Sequence, residues 1–553
     1  MKKILDVILL GMTIALMAGC SSGGSGSTPI TFSISGTVSG DVAANVTINL
    51  ASGVNNSTTT ASDGTYSFTG LGNGTYTVTP VLKGYIFTPT NQLVTISGAN
   101  ITGQNFTSIS KSSTINSKWE WTWVSGSKTS NQTGSYVIKG TPDAGNIPGA
   151  RASSVSWKDS SDNLWLFGGF GYDSAGNVDL LNDLWKFDSV VSKTWTWVSG
   201  SKTSNQPGSY VTKGTADPGN VPGARSSSVS WIDSGGNLWL FEGWGYDSAG
   251  NVGLLNDLWK FDGANWTWVT GSKTSNQPGS YVTKGTADPG NVPGARSSSV
   301  SWKGSGSNLW LFGGWGYDSA GNVGLLNDLW KFDGANWTWV SGSKTYGQVG
   351  SYVTKGTANA GNVPGARSSS VSWIDSSGNF WLFGGWGYDS AGDVGLLNDL
   401  WKFDSVVSKT WTWVSGSNTY NQAGSAVAVG VPDAGNIPGA RQYSISWIDS
   451  SGNLWLFGGI GYDFAGNVNL LNDLWKFDSV VSKTWTWVSG YGQAGSYGTK
   501  GTADPGNIPG ARERAVSWID SSGSLWLFGG YDYDSATNDG GYLNDLWSYS
   551  LQP

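Results

Sequence analysis

The sequence predicts an all-β protein, and three features of its 553 residues carry that prediction. Short runs of aromatic and β-branched residues alternate with Gly, Asn, Asp and Ser, which is the pattern of strands joined by turns. Aromatic residues make up 13% of the chain and charged residues only 12%, whereas disordered chains are poor in aromatics and rich in charge. One unit also repeats through most of the chain, so a single repeat-built domain can account for most of its length.

The first twenty residues have the pattern of a bacterial lipoprotein signal. Lys2 and Lys3 precede an apolar run too short for a permanent membrane-spanning helix, and the segment ends in Leu16-Met17-Ala18-Gly19-Cys20. This string resembles a lipobox, which implies cleavage before Cys20 and lipidation of that residue. With Ser21 next and a flexible Ser/Gly tether over 21–30, we expect a lipid-anchored protein of the cell envelope, at the outer membrane. An ordinary secretory signal with a stray Cys is the alternative.

Residues 31–108 are predicted to form a small β-sandwich. Apolar and polar residues alternate over 32–38, 46–50, 63–68, 74–78 and 94–96, with Gly, Asn and Asp between the runs. The string ISGTVSG, followed by TTTASDGTYSFTGLGNGTYTVTPVLKGYIFTP, resembles the carboxypeptidase-regulatory-like modules of secreted bacterial proteins. The resemblance implies a spacer domain, and residues 109–118 are expected to be a linker.

Residues 119–553 contain six copies of one unit. The string Pro-Gly-Ala-Arg recurs every 71 or 74 residues, and its arginines are Arg151, Arg225, Arg296, Arg367, Arg441 and Arg512. Four strand-like pieces follow in each copy; in the third copy they cover 298–302, 309–314, 325–332 and 337–340. A repeat of four short strands predicts one blade of a propeller.

The two ends of the repeat region predict how the propeller closes. The last copy lacks a Trp-Thr-Trp-Val strand, and the missing piece stands at the start of the region, over 119–124. We therefore expect the N-terminal strand to complete the last blade, which would remove the open sheet edges that a solenoid leaves.

The unit resembles the Kelch repeat. The resemblance rests on the Arg that begins strand one, the double Gly that ends strand two, the Asn-Asp-hydrophobic-Trp of strand three and the Trp of strand four. It implies a six-bladed Kelch-type propeller and covers the whole region 119–553. Glu242 departs from the pattern, because it stands where the double Gly of the second copy should begin, so the local geometry there is in doubt.

Composition excludes several kinds of chemistry. The chain has no His and a single Cys, which excludes His-dependent catalysis, His-liganded metal sites and intramolecular disulfides. Some Kelch propellers are galactose oxidases, but that copper chemistry needs His ligands and a Cys-Tyr crosslink. The net charge of −7 argues against a nucleic-acid partner. We expect no cofactor, no metal and a monomer.

The six repeated arginines are the first candidate functional group. Strand one is innermost in a propeller, so we expect them to ring the mouth of the central channel. Pairing with the Asp of the Leu-Asn-Asp-Leu-Trp strand gives them a structural role, and an anion or sugar-acid site on the axis is the alternative. Those acids are Asp183, Asp257, Asp328, Asp399, Asp473 and Asp545.

A second group consists of aromatic residues that follow the double Gly, where we expect a long loop. Exposed rings there can stack on sugars or anchor a protein, and packing of one loop on another is the structural alternative. The candidates are Phe170, Tyr172, Trp244, Tyr246, Trp315, Tyr317, Trp386, Tyr388, Tyr462 and Tyr531. The same loops carry Asp-Ser-Ala-Gly-Asn, as over 318–322, which lacks the dense acids of a known Ca²⁺ loop.

Both classes of long connection leave a propeller on the same face, which favours that face for recognition. The sequence therefore favours a surface-anchored protein that binds a glycan or a protein there, with six similar sites giving multivalent attachment. A sugar-active enzyme without metal, similar to the sialic-acid mutarotases with this repeat, is one alternative. It would need an asymmetric acid–base pair, and Glu242, Glu513 and Arg514 are the irregular charged positions. A purely structural envelope protein is the other alternative.

Overall fold

The computed structural model describes residues 31–51, 56–83, 85–110, 118–304, 308–490, 495–534 and 539–552. The predicted signal peptide, Cys20 and the Ser/Gly tether lie outside these described residues. The chain divides into two compact units, Met1–Thr114 and Ile115–Pro553. All of the regular elements in the described ranges are strands.

The first unit is a sandwich of two four-stranded sheets. Its strands are β1 Phe32–Gly40, β2 Thr47–Ala51, β3 Asn56–Thr59, β4 Thr65–Leu71, β5 Gly74–Val81, β6 Tyr85–Thr88, β7 Gln92–Ile96 and β8 Phe106–Ser110. One sheet has the order β4-β1-β8-β6 and the other β3-β2-β5-β7, and the alternate residues that face inward form a single apolar core. The sequence missed β3, β6 and β8, because Ser/Thr-rich strands and strands beside Pro carry little alternation.

The second unit is a six-bladed propeller, as the sequence predicts. The innermost strand of every blade comes in two pieces: Arg151–Ala152 and Val155–Lys158, Arg225–Ser226 and Val229–Ile232, Arg296–Ser297 and Val300–Lys303, Arg367–Ser368 and Val371–Ile374, Arg441–Gln442 and Ile445–Ile448, Arg512–Glu513 and Val516–Ile519. The second strands are Leu164–Tyr172, Leu238–Tyr246, Leu309–Tyr317, Phe380–Tyr388, Leu454–Tyr462 and Leu525–Asp534.

The outer strands follow in the same order. The third strands are Val178–Phe187, Val252–Phe261, Val323–Phe332, Val394–Phe403, Val468–Phe477 and Asp539–Gln552. The fourth strands are Trp195–Ser199, Trp266–Thr270, Trp337–Ser341, Trp411–Ser415, Trp485–Ser489 and, for blade six, Lys118–Ser125. Five blades also have a two-residue outermost strand: Ala216–Asp217, Ala287–Asp288, Ala358–Asn359, Pro432–Asp433 and Ala503–Asp504.

The double Gly produces a bulge inside strand two. In blade three the register with strand three shifts between Phe312 and Gly314, and strand two then continues to Tyr317. Gly313 has φ of 66°, and a Cβ on it would lie 2.7 Å from the carbonyl oxygen of Arg367 in the next blade. A residue without a side chain therefore fits both the backbone conformation and the close approach of the neighbouring blade.

The core lies between the blades. Each apolar cluster joins strand one and two residues of one blade to strand two, three and four residues of the next; one contains Trp157 and Phe167 with Trp259 and Trp266. Trp268 packs against the same cluster from two positions further along its strand, as the period-two pattern predicts. Aromatic rings dominate these contacts, for example Phe167 on Trp266 with centroids 5.5 Å apart.

The ring is closed in two ways. The N-terminal strand pairs with strand three of blade six, with Leu546 opposite Ser125 and Trp547 opposite Trp123, so the expected closure by the N-terminal strand is confirmed. At the axis, one residue of each blade donates its backbone N–H to the carbonyl of the preceding blade at 2.8 to 3.0 Å, and the series returns to its start. These six axis residues are Ser153, Ser227, Ser298, Ser369, Tyr443 and Arg514, all with φ between 55° and 60°.

A second ring of hydrogen bonds lies three residues further along the inner strands. Each Ser donates its hydroxyl to the carbonyl of the Ser in the preceding blade at 3.1 to 3.5 Å, and this series also closes. Its members are Ser156, Ser230, Ser301, Ser372, Ser446 and Ser517. At this level the centre of the propeller is therefore lined by serine side chains.

Candidate functional site

The six repeated arginines form buried ion pairs inside their own blades. In blade three, Arg296 binds Asp328 through both guanidinium nitrogens, at 2.8 and 2.7 Å, and also donates to the carbonyls of Gly294 and Gly313. Burial alone would lower the pKa of Arg296, but the attraction of Asp328 outweighs it and holds that pKa above its usual range. The guanidinium thus stays charged, and each of its three nitrogens donates a hydrogen bond.

In five of the six blades two aromatic residues complete the acid's set of donors. In blade three the indole N–H of Trp330 and the hydroxyl of Tyr281 both donate to Asp328 Oδ2 at 2.6 Å. Burial, and then the charge of Asp328, raise the pKa of Tyr281 well above its usual range, so it stays a donor. The sequence did not identify this tyrosine, although Gly-Ser-Tyr recurs ahead of Pro-Gly-Ala-Arg in five of the six copies.

The predicted pairing of each repeated Arg with the Asp of strand three is confirmed, whereas the expected ring of these arginines at the channel mouth is wrong. No repeated Arg side chain is more than 2% exposed, because the paired Asp holds each one within its blade. The residues that approach the axis are instead those two positions further on, where the inner strand breaks between its two pieces. A buried guanidinium whose fork is filled by a carboxylate has no free donors to offer an anion on the axis.

The candidate aromatic residues lie in strand two and not in a loop, which corrects the second expectation. Strand two continues for three residues past the bulge, so the connection to strand three is only the five residues 173–177 in blade one and 318–322 in blade three. The residue after the double Gly pairs with the inner strand: Trp315, for example, lies opposite Ser297, one residue before the axis residue Ser298. The side chains after the bulge therefore stand close to the axis.

Three of these residues form what we call the tryptophan arc, namely Trp244, Trp315 and Trp386. They occupy the same position in blades two, three and four, and they are 46%, 46% and 40% exposed. Their blades are linked at the axis by the hydrogen bonds from Ser298 to Ser227 and from Ser369 to Ser298. The structure therefore presents three half-exposed indoles at equivalent positions of three consecutive blades, each opposite the residue that precedes the axis residue.

The other candidate aromatics are partly covered. Of those whose side chains the structure describes, Phe170, Tyr172, Tyr246, Tyr317, Tyr388, Tyr462 and Tyr531 are all of intermediate exposure. Phe170 and Tyr172 contact Tyr542, with centroids 5.7 and 6.4 Å apart, and Tyr531 contacts the same ring at 5.2 Å. Tyr542 in blade six corresponds to Leu180 in blade one, and the sequence did not predict its contribution.

The long connections between blades are held against the blades by strand pairing and hydrogen bonds. Each one ahead of blades two to six adds the two-residue outermost strand to the blade that it precedes, which covers the edge of strand four. In blade two, Asn220 fixes the return path by donating to the carbonyl of Trp266 and accepting from the N–H of Val211. These connections are structural braces over the blades.

The short Asp-Ser-Ala-Gly-Asn connections are closed on themselves. In blade three, Asp318 Oδ1 accepts the N–H groups of Ala320 and Asn322 at 2.8 and 2.9 Å, and Asp318 is buried. Its oxygens therefore serve an Asx-type turn. Within the described ranges no three acidic or Cys side chains gather as a group able to hold a metal ion.

Glu242 is buried between blades two and three. It has φ of 62°, like the Gly residues at the same position in the other blades. Its carboxylate accepts the N–H of Ser299 at 3.0 Å and the hydroxyl of Ser299 at 2.7 Å. Burial raises the pKa of Glu242 to about 8, against the opposing attraction of Arg296. This side chain joins two blades and has no exposure at the channel mouth.

Glu513 and Arg514 lie at the axis in blade six. The guanidinium of Arg514 stacks on the ring of Tyr443 at 3.8 Å, and its Nε lies 3.4 Å from Glu513 Oε1. The Arg514 side chain is 36% exposed. Burial raises the pKa of Glu513, and the charge of Arg514 opposes that shift. The two irregular positions that the sequence singled out here are brought together, whereas Glu242 is in a different blade.

Residues 30–110 match the family model for the second β-sandwich domain of BOS complex subunit NOMO1-like proteins. No curated protein matches the chain. One similar solved structure is that of YjhT, at 14% identity and a TM-score of 0.43, covering 72% of this chain and 95% of the other.

A fungal alcohol oxidase in complex with copper matches at 12% identity and a TM-score of 0.40, over 75% of this chain and 76% of its own. A protein of unknown function from Dyadobacter fermentans matches at 9% identity and a TM-score of 0.40, over 78% of this chain and 98% of its own. These likenesses concern the fold, and no residue role follows from them.

The sandwich family found for residues 30–110 agrees with the predicted small β domain, while its carboxypeptidase-regulatory-like membership stays a prediction. Among the residues that the structure describes, none forms a helix with the length and apolar character needed to cross a membrane.

Proposed function

We propose that this protein is a lipid-anchored cell-envelope receptor that binds a glycan at the mouth of its propeller channel. The observation that supports the proposal is the tryptophan arc, in which three neighbouring blades each present a half-exposed indole beside the axis. Most Trp residues of this protein are buried between blades, whereas these three are exposed. Exposed large aromatic residues are common at recognition surfaces.

The surroundings of the arc favour a sugar over an apolar protein surface. The inner strand beside it reads Arg-Ser-Ser-Ser in blades two, three and four, and the axis residues Ser227 and Ser298 are partly exposed. A saccharide offers both an apolar ring face and hydroxyls, and it can use both kinds of group together. Three equivalent positions would let successive sugars of one chain engage successive blades.

A glycan array probed with the intact chain tests this function. We expect binding to a defined set of glycans and a loss of at least tenfold in affinity for Trp315→Ala/Trp386→Ala. The control is Trp339→Ala, a half-buried residue of strand four in the same blade, which should leave affinity unchanged in whatever fraction of the protein folds. Absence of glycan binding by intact protein would favour a structural role, and unchanged binding by the double variant would remove the arc from the site.

The anchor is tested separately from the binding site. Labelling of cells with radioactive palmitate should mark the wild-type chain, and Cys20→Ala should abolish the label and release the protein from the membrane fraction, since Cys20 is the one thiol available. Label that persists in the Cys20→Ala variant would contradict lipidation at this residue.

A further inference from the structure

Blade six departs from the repeat at one place. Where the inner strand of blades two to four reads Arg-Ser-Ser-Ser, blade six reads Arg512-Glu513-Arg514-Ala515. Strand two has Tyr531-Asp532-Tyr533 in place of Trp-Gly-Tyr, and strand three has Tyr542 in place of Leu.

The departures in blade six lie together in space. Arg512 pairs with Asp532, Glu513 with Tyr531, and Tyr531 with Tyr542 across the sheet. The changed side chains therefore occupy adjacent positions at the end of the blade that reaches the channel mouth. The fifth blade adds one more change beside them, because its axis residue is Tyr443 instead of Ser.

We call the group Tyr443, Glu513, Arg514, Tyr531 and Tyr542 the polar sector. The guanidinium of Arg514 lies 3.8 Å from the ring centroid of Tyr443, its buried Nε lies 3.4 Å from Glu513 Oε1, and its side chain is 36% exposed. Tyr542 is half-buried among Phe170, Tyr172 and Tyr531. A partly exposed guanidinium that rests on a ring, beside a carboxylate and phenol rings, is suited to a ligand that both donates and accepts hydrogen bonds.

The charge balance of the sector indicates which ligand fits. Arg514 contributes one positive charge and Glu513, 3.4 Å away, one negative charge, so the pair is neutral as a unit. A carboxylate or phosphate on the ligand would meet Glu513 as well as Arg514, and the whole chain carries a net charge of −7. Neighbouring hydroxyls of an uncharged sugar can instead accept from Arg514 and donate to Glu513.

We infer that the polar sector is a second subsite, which binds the hydroxyls of a neutral saccharide whose other sugars lie on the tryptophan arc. This inference rests on the proposed glycan binding and adds the ligand class and the residues that orient it. Glu513 accepts, Arg514 donates, and Tyr531 and Tyr542 provide the ring surface on that side of the mouth.

Three soluble probes test the subsite by calorimetry with the intact chain in detergent: cellohexaose, mannohexaose and the acidic hexagalacturonate. The informative variant is Glu513→Ser/Arg514→Ser, which gives these two positions the residues that blades two to four already use there, with the same backbone conformation at the axis residue, so it should fold. Ala152→Ser makes the same kind of repeat-restoring change in blade one and serves as the control.

We expect a neutral hexasaccharide to bind, hexagalacturonate to bind at least tenfold more weakly, and the double Ser variant to lose at least tenfold in affinity for the neutral probe. Ala152→Ser should change affinity less than twofold. Arg514→Lys keeps the charge but loses the planar fork, and should fall between wild type and the double variant.

The outcomes separate the two proposals. If the intact chain binds no glycan on the array or among the probes, both fall. If it binds glycans but prefers hexagalacturonate, binds neither neutral probe, or binds a neutral probe equally well in the double Ser variant, this inference is overturned and the glycan-binding function stands.

Discussion

Blades two to four and blade six share one backbone but present different chemistry at the channel mouth. Blades two to four have the same two Ser residues, Trp and Leu at four positions near the axis. Blade six has Glu513, Arg514, Tyr531 and Tyr542 at those positions. The buried Arg–Asp pair is nevertheless present in both, as Arg296 with Asp328 and Arg512 with Asp545. The repeat therefore preserves the ion pair that holds a blade together and varies the side chains beside the axis.

The chain contains buried arginines that pair with an Asp inside a blade, such as Arg296, and the partly exposed Arg514. Replacing one arginine of each kind should separate an effect on stability from an effect on binding. Arg296→Met leaves Asp328 buried and charged, so we expect a loss of about 3–5 kcal/mol in the free energy of unfolding. Arg514→Met removes a partly exposed side chain near one carboxylate, so we expect a loss below about 1 kcal/mol. Urea unfolding followed by Trp fluorescence measures both.

The control for these variants is circular dichroism of each purified protein, which should show that the strands are retained. Equal losses in unfolding free energy for the two variants would contradict the division into structural and ligand-facing arginines.

Blade five shows that a departure from the repeat can be purely a matter of packing. Ala426 stands where five blades have Tyr, and Phe464 stands where most of them have Ser. The ring centroids of Phe464 and Trp487 are 5.0 Å apart, and the Phe464 ring lies 3.2 Å from the position that a Cβ on Gly424 would take. In blade three the ring of Tyr281 occupies the corresponding place beside Gly279. One ring therefore replaces the other.

We expect Ala426→Tyr to be destabilised by about 1–3 kcal/mol, because two rings then compete for one space. Ala426→Tyr/Phe464→Ser should recover most of that loss, since the new hydroxyl can donate to Asp473 as its counterparts do in five other blades. The double variant and both single variants form a cycle measured by thermal unfolding. Additive effects of the two changes would contradict the exchange of rings.

Substitution of Glu242 tests whether a departure from the repeat within blades two to four affects binding. Replacing it with Gly restores the residue that suits a φ of 62° and should stabilise the fold by about 1 kcal/mol, with no effect on glycan binding. The gain should depend on pH. The folded-state pKa of about 8 exceeds the ordinary 4.5, so the folded wild type retains a proton that the unfolded chain loses between those values.

The stability of the wild type should therefore fall as pH rises from about 4.5 to about 8, and the advantage of Glu242→Gly should grow over that window. Glu242→Gln, which cannot ionise, should lack this slope. Urea unfolding at pH 4.5 and pH 8.5 measures the difference. The same slope in wild type and in both variants would show that another group is responsible.

The sequence was sufficient for the architecture because the repeat supplies its own alignment. Six copies of the same Arg at regular spacing, four strand patterns per copy and a strand displaced to the other end predicted six blades and their closure, which the structure confirms. The position of the arginines was harder to predict. That a residue lies on the innermost strand does not show whether its side chain faces the axis or the neighbouring strand, and Asp328 decides this for Arg296.

The candidate site was only partly accessible from the sequence. A double Gly normally indicates the end of a strand, so the aromatic residues after it were assigned to a loop; here the bulge lets the strand continue to Tyr317. Tyr443 and Tyr542 were missed because each is an ordinary residue in its own segment. Comparing the six copies position by position would have found both, since each replaces the Ser or Leu of its counterparts.

The sheet of blade six has an implication for how the protein is made. Its fourth strand, Lys118–Ser125, is synthesised more than 400 residues before the strand that it pairs with, Asp539–Gln552. Five blades can form their own sheets while the chain is still emerging, but the circle has to wait for its final strand. Until then Trp121 and Trp123 lack the strand that they pair with in the finished blade.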